Sequence, residues 1–182
     1  MTFQVNNSPF AGKEGKYVTS RNIQERLDEE LLHNVALRVE PGDDIDKFKV
    51  SGRGELHLGI LIENMRREGF EVAVSRPEVV IRGEGDNREE PNENVTIDVV
   101  EIHQGSIMEK MGERKGSLQN MESDGKGRIR LEYVIPSRGL IGFQTEFMTL
   151  TSGTGLMYHS FDHYGPLVKE EIGQRSSGVL VS

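Results

Sequence analysis

The most constraining feature of this sequence is a hydrophobic period that switches from two to about four and back, and then repeats the whole switch. Phe3 and Val5 open a short alternating stretch. After NNSPFAGKEGKY, a loop rich in Asn, Gly, Ser and Pro, Thr19 or Ser20 can cap a helix in which Ile23, Leu27 and Leu31 recur every fourth residue. Val35, Leu37 and Val39 alternate as in a strand, and PGDD makes a turn into a second alternation at Phe48 and Val50. From about Gly54 the apolar residues Leu58, Leu61, Ile62 and Met65 fall on one helical face. Phe70, Val72 and Val74 alternate again. The predicted order is β-α-β-β-α-β.

The second half runs through the same order. Val95, Ile97 and Val99 alternate, then Ile107, Met108 and Met111 mark a short helix that Gly112 or Gly116 ends. Leu118 to Glu122 reads as a strand, SDGKG at 123–127 as a hairpin turn, and Ile129, Leu131, Tyr133 and Ile135 as the returning strand. After VIPSRG a single helix carries Leu140, Phe143, Phe147 and Leu150, and Leu156 to Phe161 closes the set. Two copies of β-α-β-β-α-β predict an α+β chain of two ferredoxin-like domains in tandem. Helices cover one face of each sheet and leave the other free for a partner.

Charge sets the predicted boundaries. The segment 83–94, GEGDNREEPNEN, carries 1 basic and 5 acidic residues and no large apolar one, so it holds half of the net charge of −8. It reads as an acidic linker between domains at 1–82 and 95–164, with 165–182 as a further linker. The closing SSGVLVS resembles the start of a strand without a mate, and the chain is therefore expected to be a fragment. Cys is 0, which excludes disulfides, thiolate zinc sites and Cys nucleophiles. No apolar run approaches the ~18 residues of a membrane span. MTFQVNNSPF has no signal-peptide pattern, so the chain is expected to be cytoplasmic. Net acidity argues against wrapping duplex DNA but leaves room for a local basic patch.

Few motifs carry chemistry. AGKEGKY places Tyr17 where a phosphate-binding loop needs Ser or Thr, and it reads as a flexible loop. Asp124 to Gly127 and Asp162 to Gly165 match D-x-x-G by chance, since neither a P-loop nor N-K-x-D accompanies them. His159 and His163 flank Asp162 at i, i+4, but on a strand that spacing separates the rings. His57 lies near Glu55 with no nucleophile beside it. No catalytic, cofactor-binding or metal-ligating residue is expected here. The better signal is basic. Lys110, Arg114, Lys115, Lys126, Arg128 and Arg130 face only Glu113, Glu122 and Asp124 within 110–130, and Arg138 follows. Arg128 and Arg130 share a strand face, suited to phosphates rather than to base stacking. A solvated face is the plainer account of the same cluster, and a regulatory small-molecule or metal-binding module is the alternative for the tandem.

Longer motifs narrow this. SGRGELHLGILIENMRREGFEVAVSRPEVVIR at 51–82 resembles domain III of the elongation factor G superfamily. MGERKGSLQNMES and YVIPSRGLIGFQTEFMTLTSGTG resemble its domain V. NNSPFAGKEGKYVTSR, the GERKG turn and Arg-Gly-Leu-Ile-Gly-Phe at 138–143 are most similar to the BipA (TypA) family, and 83–94 leaves no room for the domain IV that elongation factor G inserts. The resemblance implies a translational GTPase that binds ribosomal RNA and proteins. A nucleotide-binding domain using GTP and magnesium would lie before residue 1, and this part would relay its state without a catalytic centre of its own. It also makes the Gly52–Gly54 turn with Arg53 and Glu55, and Arg66 and Arg67, ending the helix, candidate interface residues.

Overall fold

In the computed structural model, which describes residues 1–170 and 172, the chain divides into two units, Met1–Glu78 and a second beginning at Val79. The first contains β1 (Thr2–Val5), α1 (Ser20–His33), β2 (Arg38–Pro41), β3 (Lys47–Ser51), α2 (Glu55–Glu68) and β4 (Val72–Val74). Its sheet has the order β2-β3-β1-β4 with every pair antiparallel, the ferredoxin-like arrangement. The Thr19 hydroxyl accepts from the Asn22 N–H and starts α1, which presents Ile23 and Leu27 to the sheet. Leu58, Leu61 and Met65 of α2 meet Phe3, Phe48 and Val50 of the strands in one core. Arg26 of α1 ties the helices together with bonds of 2.5 and 2.8 Å to Glu68 of α2.

One strand is shorter than its alternation predicted. Val35 is 96% exposed and lies in a turn, because Asn34 caps α1 by donating to the Glu30 carbonyl and Leu37 N–H then donates to the Asn34 carbonyl. Only Leu37 and Val39 of that trio pack on the core.

The second unit contains β5 (Glu89–Val100), α3 (Gln104–Glu113), β6 (Ser117–Ser123), β7 (Arg128–Pro136), α4 (Ser137–Leu140), α5 (Phe143–Leu150) and β8 (Leu156–Pro166), in the order β6-β7-β5-β8. Val95, Ile97, Val99, Ile129, Leu131, Tyr133 and Ile135 line one sheet face, against Ile107, Met111, Phe143 and Phe147 from the helices. Burying a side chain the size of Phe143 or Phe147 contributes about 1.5–3 kcal/mol.

Two expectations are corrected here. The segment 83–94 is not a linker throughout: residues 89–94 form the first half of β5, paired with β8 along that length and with β7 from Asn92. Its composition misleads because the side chain this half-strand buries is a carboxylate, Glu90, fully buried against Arg138. Pro91 fits because it lies beyond the end of the β7 pairing. The predicted helix after VIPSRG is two pieces, α4 and α5. Ile141 leaves the helical region with ψ 121° in a turn, and Gly142 adopts φ 71°, a left-handed conformation that breaks the helical run. The closing strand also runs past Phe161 to Pro166. SSGVLVS lies outside the described residues.

Candidate nucleic-acid interface

The basic residues of the second unit fall into two groups. Arg114, at the end of α3, has a side chain only 12% exposed. It donates to the carbonyls of Gly139 (2.7 Å) and Ile141 (3.4 Å) and to Glu146 (2.8 Å), with its guanidinium 4.7 Å above the Phe143 ring. Arg138 donates to both oxygens of Glu90, at 2.5 and 3.2 Å, and to the Val168 carbonyl, while Val168 N–H donates to Glu90 at 2.8 Å. Both arginines are braces. Arg114 pins α4 and α5 to α3, and Arg138 ties the segment after β8 to β5.

The remaining cations stand on the surface. Arg130 grips Asp98 of β5 with two bonds of 3.1 and 3.0 Å, and this carboxylate holds its guanidinium above the usual value. Arg128 reaches the Asp98 carbonyl at 3.3 Å. The alternation of β7 does place both on the sheet face opposite buried Ile129 and Leu131. Lys126 is exposed in the hairpin, whose shape is set by Asp124: the amides of Arg128 and Lys126 donate to its carboxylate and hold it below its usual range. Lys110 pairs with Glu113 at 2.8 Å, and Lys115 pairs with Glu170. Lys115 adopts φ 65° in the turn after α3, so the backbone and not the helix aims its side chain.

Through the Arg130–Asp98 pair and the neighbouring carboxylates the open face of the second sheet is less basic than the linear sequence. Arg128 and Arg130 sit beside Asp98, Glu122 and Glu132, and register brings these together across β5, β6 and β7. The two central strands place Thr96, Asp98, Arg128, Arg130 and Glu132 on that face, so they offer no aromatic platform for bases. Tyr158, 61% exposed on the edge strand β8, pairs with Thr96 and is the aromatic side chain that sequence reading missed on this face.

In the first unit, Arg53 is exposed and its N–H donates to His57 Nδ1 at 3.2 Å, while the other ring nitrogen lies 2.9 Å from the Asn34 amide. His57 therefore joins the turn to the end of α1. Gly52 is required there: a Cβ would stand 2.8 Å from His57 Nδ1 and 3.0 Å from Leu58 Cδ2. Glu55 is exposed in the first turn of α2, where a carboxylate favours the helix dipole. Arg66 and Arg67 both bond to Glu63, whose carboxyl they pull down to about 2. His159 and His163 do not converge: His159 Nδ1 lies 2.5 Å from Glu93, and His163 Nδ1 lies 2.6 Å from Asp162. Among the described residues no three His, Asp or Glu are grouped to hold a metal, and no helix is long and apolar enough to cross a membrane.

Two sheets of the same order, each backed by helices on one face, make this a tandem of ferredoxin-like α+β domains. Residues 87–175 match the family model for the elongation factor G C-terminus. Over all 182 residues the chain is 66% identical to the large ribosomal subunit assembly factor BipA of Salmonella typhimurium and of Haemophilus influenzae, and 61% identical to that of Buchnera aphidicola. The chain belongs to the BipA family. It spans 30% of the length of these relatives.

Proposed function

We propose that this chain is the ribosome-binding, non-catalytic part of a BipA-like GTP-binding regulator of translation that acts in the cytoplasm. The observation that carries this reading is 66% identity, over every residue of the chain, to proteins named for large ribosomal subunit assembly. In this reading GTP and magnesium are held by the parent protein's nucleotide-binding domain. The two units are independently folding domains, of the domain III and domain V kinds, which pass the nucleotide state to ribosomal RNA and protein. The turn at Arg53 and Glu55, with Arg66 and Arg67, faces a neighbouring domain or the ribosome.

Within the basic cluster, Lys126, Arg128 and Arg130 are the phosphate contacts of the open sheet face, and Lys110 and Lys115, on α3 and in the turn after it, are contacts of a separate patch on the helical side. Only Arg130, Lys110 and Lys115 of these have carboxylate partners among the described residues, and exchanging a largely exposed ion pair for a phosphate costs little, because such pairs are worth only about 0–1 kcal/mol. Arg114 and Arg138 are braces of the helices and of the segment after β8 and are left out of the contact set. The test is Arg128→Ala with Arg130→Ala in the full-length parent, followed by co-sedimentation with ribosomes across a salt series. The expected result is weaker binding and a log–log salt slope shallower by about two. Unchanged affinity and slope in the folded double variant would return this strand to the role of an ordinary solvated face.

A further inference from the structure

The loop between β1 and α1 is built differently from what its sequence predicts. NNSPFAGKEGKY reads as a flexible loop, yet the carboxylate of Glu71, just before β4, gathers it. Asn6 Nδ2 donates to Glu71 at 2.6 Å, Gly12 N–H at 3.0 and 3.1 Å, Glu14 N–H at 3.3 Å and Gly15 N–H at 3.1 Å. The glycines are matched to this clamp. Gly12 has φ 80°, and a Cβ on Gly15 would stand 2.7 Å from the Glu71 Cβ. Converging backbone amides of this kind form an anion nest, and here the resident anion is the protein's own carboxylate. The tip is turned as well: Ala11 N–H donates to the Ser8 carbonyl, and Lys13 N–H to that of Phe10.

What the clamp holds out is the unusual part. Phe10 is 67% exposed at the tip, with Lys13 Nζ 4.7 Å from the ring centroid on one face. Lys16 is exposed three residues on. Neither lysine has an ion-pair partner among the described residues, in contrast to Lys110, Lys115 and Arg130 of the second unit. A tip tied down by hydrogen bonds, with a bare ring face and two ammonium groups without ion-pair partners among the described residues, fits a concave anionic partner that offers a flat apolar surface between charges. An unstacked base with its flanking phosphates has that chemistry, and folded RNA presents such bases in loops and bulges.

We propose that the Glu71-clamped loop is a second RNA-contacting element, in which Phe10 stacks on an unpaired base and Lys13 and Lys16 meet the adjacent phosphates. The proposal rests on the ribosome-binding reading above and adds to it a site in the other unit with a different mode of contact.

The experiment is filter binding of the 182-residue chain to deproteinised RNA from large ribosomal subunits over a salt series, with thermal melting as the folding control. Phe10→Ala is expected to weaken binding about tenfold at unchanged salt slope, since stacking is a neutral contact. Lys13→Ala with Lys16→Ala is expected to make the log–log slope shallower by about two. Glu71→Gln leaves Phe10 and both lysines in place but loosens the amide nest, and is expected to weaken binding several-fold. The proposal is overturned if Phe10→Ala binds the RNA as the parent chain does, or if the parent chain does not bind it. A loss seen with intact subunits but absent with the bare RNA would assign the tip to a protein partner and would also overturn it. If the loop variants bind normally while Arg128→Ala with Arg130→Ala binds weakly, this inference fails and the broader reading stands. If intact subunits do not retain the parent chain at all, both fail.

Discussion

Arg138→Ala separates two roles for one residue, a phosphate contact on the surface or a brace inside the domain. Glu90 is 0% exposed, and both of its oxygens accept from the Arg138 guanidinium, at 2.5 and 3.2 Å. Removing the guanidinium leaves the carboxylate with the Val168 N–H and no cation among the described residues. Stranding a buried charge in this way costs about 3–5 kcal/mol, far more than the net worth of the pair. A domain of about 100 residues loses roughly 4–8 °C of melting temperature per kcal/mol, so even the lower figure predicts a fall of about 12 °C or more. Urea denaturation followed by circular dichroism measures the loss. Glu90→Gln with Arg138→Met removes both charges and keeps an acceptor for Val168, and it should recover half or more of the stability. A loss below about 1 kcal/mol for Arg138→Ala would refute the brace, because that is the range of a surface substitution.

Other expectations follow from the same geometry. The Glu71 carboxyl lies below its usual range, first through the Asn6 amide and then through the Gly12 N–H. A depressed carboxylate contributes order that is fully present above its ordinary pKa and lost as pH falls through the lowered one. Hydrogen exchange at Gly12, Glu14 and Gly15 should therefore be protected at neutral pH, relative to base-catalysed rates, and lose protection below about pH 4; constant protection down to pH 2 would contradict the clamp. Gly52→Ala should destabilise the first unit by about 1–3 kcal/mol through the contacts at His57 and Leu58, and a melting curve matching the parent would show that the turn can relax. Glu-specific proteolysis should cut first at Glu78, between the two units, and not at Glu90 inside β5; early cutting within α2 would argue against two separately folding domains.

Most of the architecture follows from local pattern. Period-two alternation at Ile129, Leu131, Tyr133 and Ile135 and the helical stripe of Leu58, Leu61 and Met65 each match the buried set, because a half-covered sheet and a helix on it each bury one face. The β-α-β-β-α-β order, twice over, was legible for that reason, and so was the shared face of Arg128 and Arg130. Three features needed the tertiary structure. Residues 89–94 resemble solvent-facing chain because charge normally means exposure; only Arg138, 48 residues from Glu90, makes that carboxylate tolerable inside. Val35 continues an alternation whose strand had not begun, since the capping of α1 consumes the residues before Leu37. The roles of the cations divide by partners distant in sequence: Arg114 finds the Gly139 carbonyl and Arg138 finds Glu90, while the Lys126 ammonium has no ion-pair partner among the described residues. The Gly-Lys loop is the same case, since its amides are gathered by Glu71, 59 residues beyond Gly12. Sequence by itself determined the order of the elements and the face that each apolar stripe buries, because those depend on neighbours two to four residues away. Which charges are free to meet a partner depends on pairs that only the folded chain brings within 3 Å.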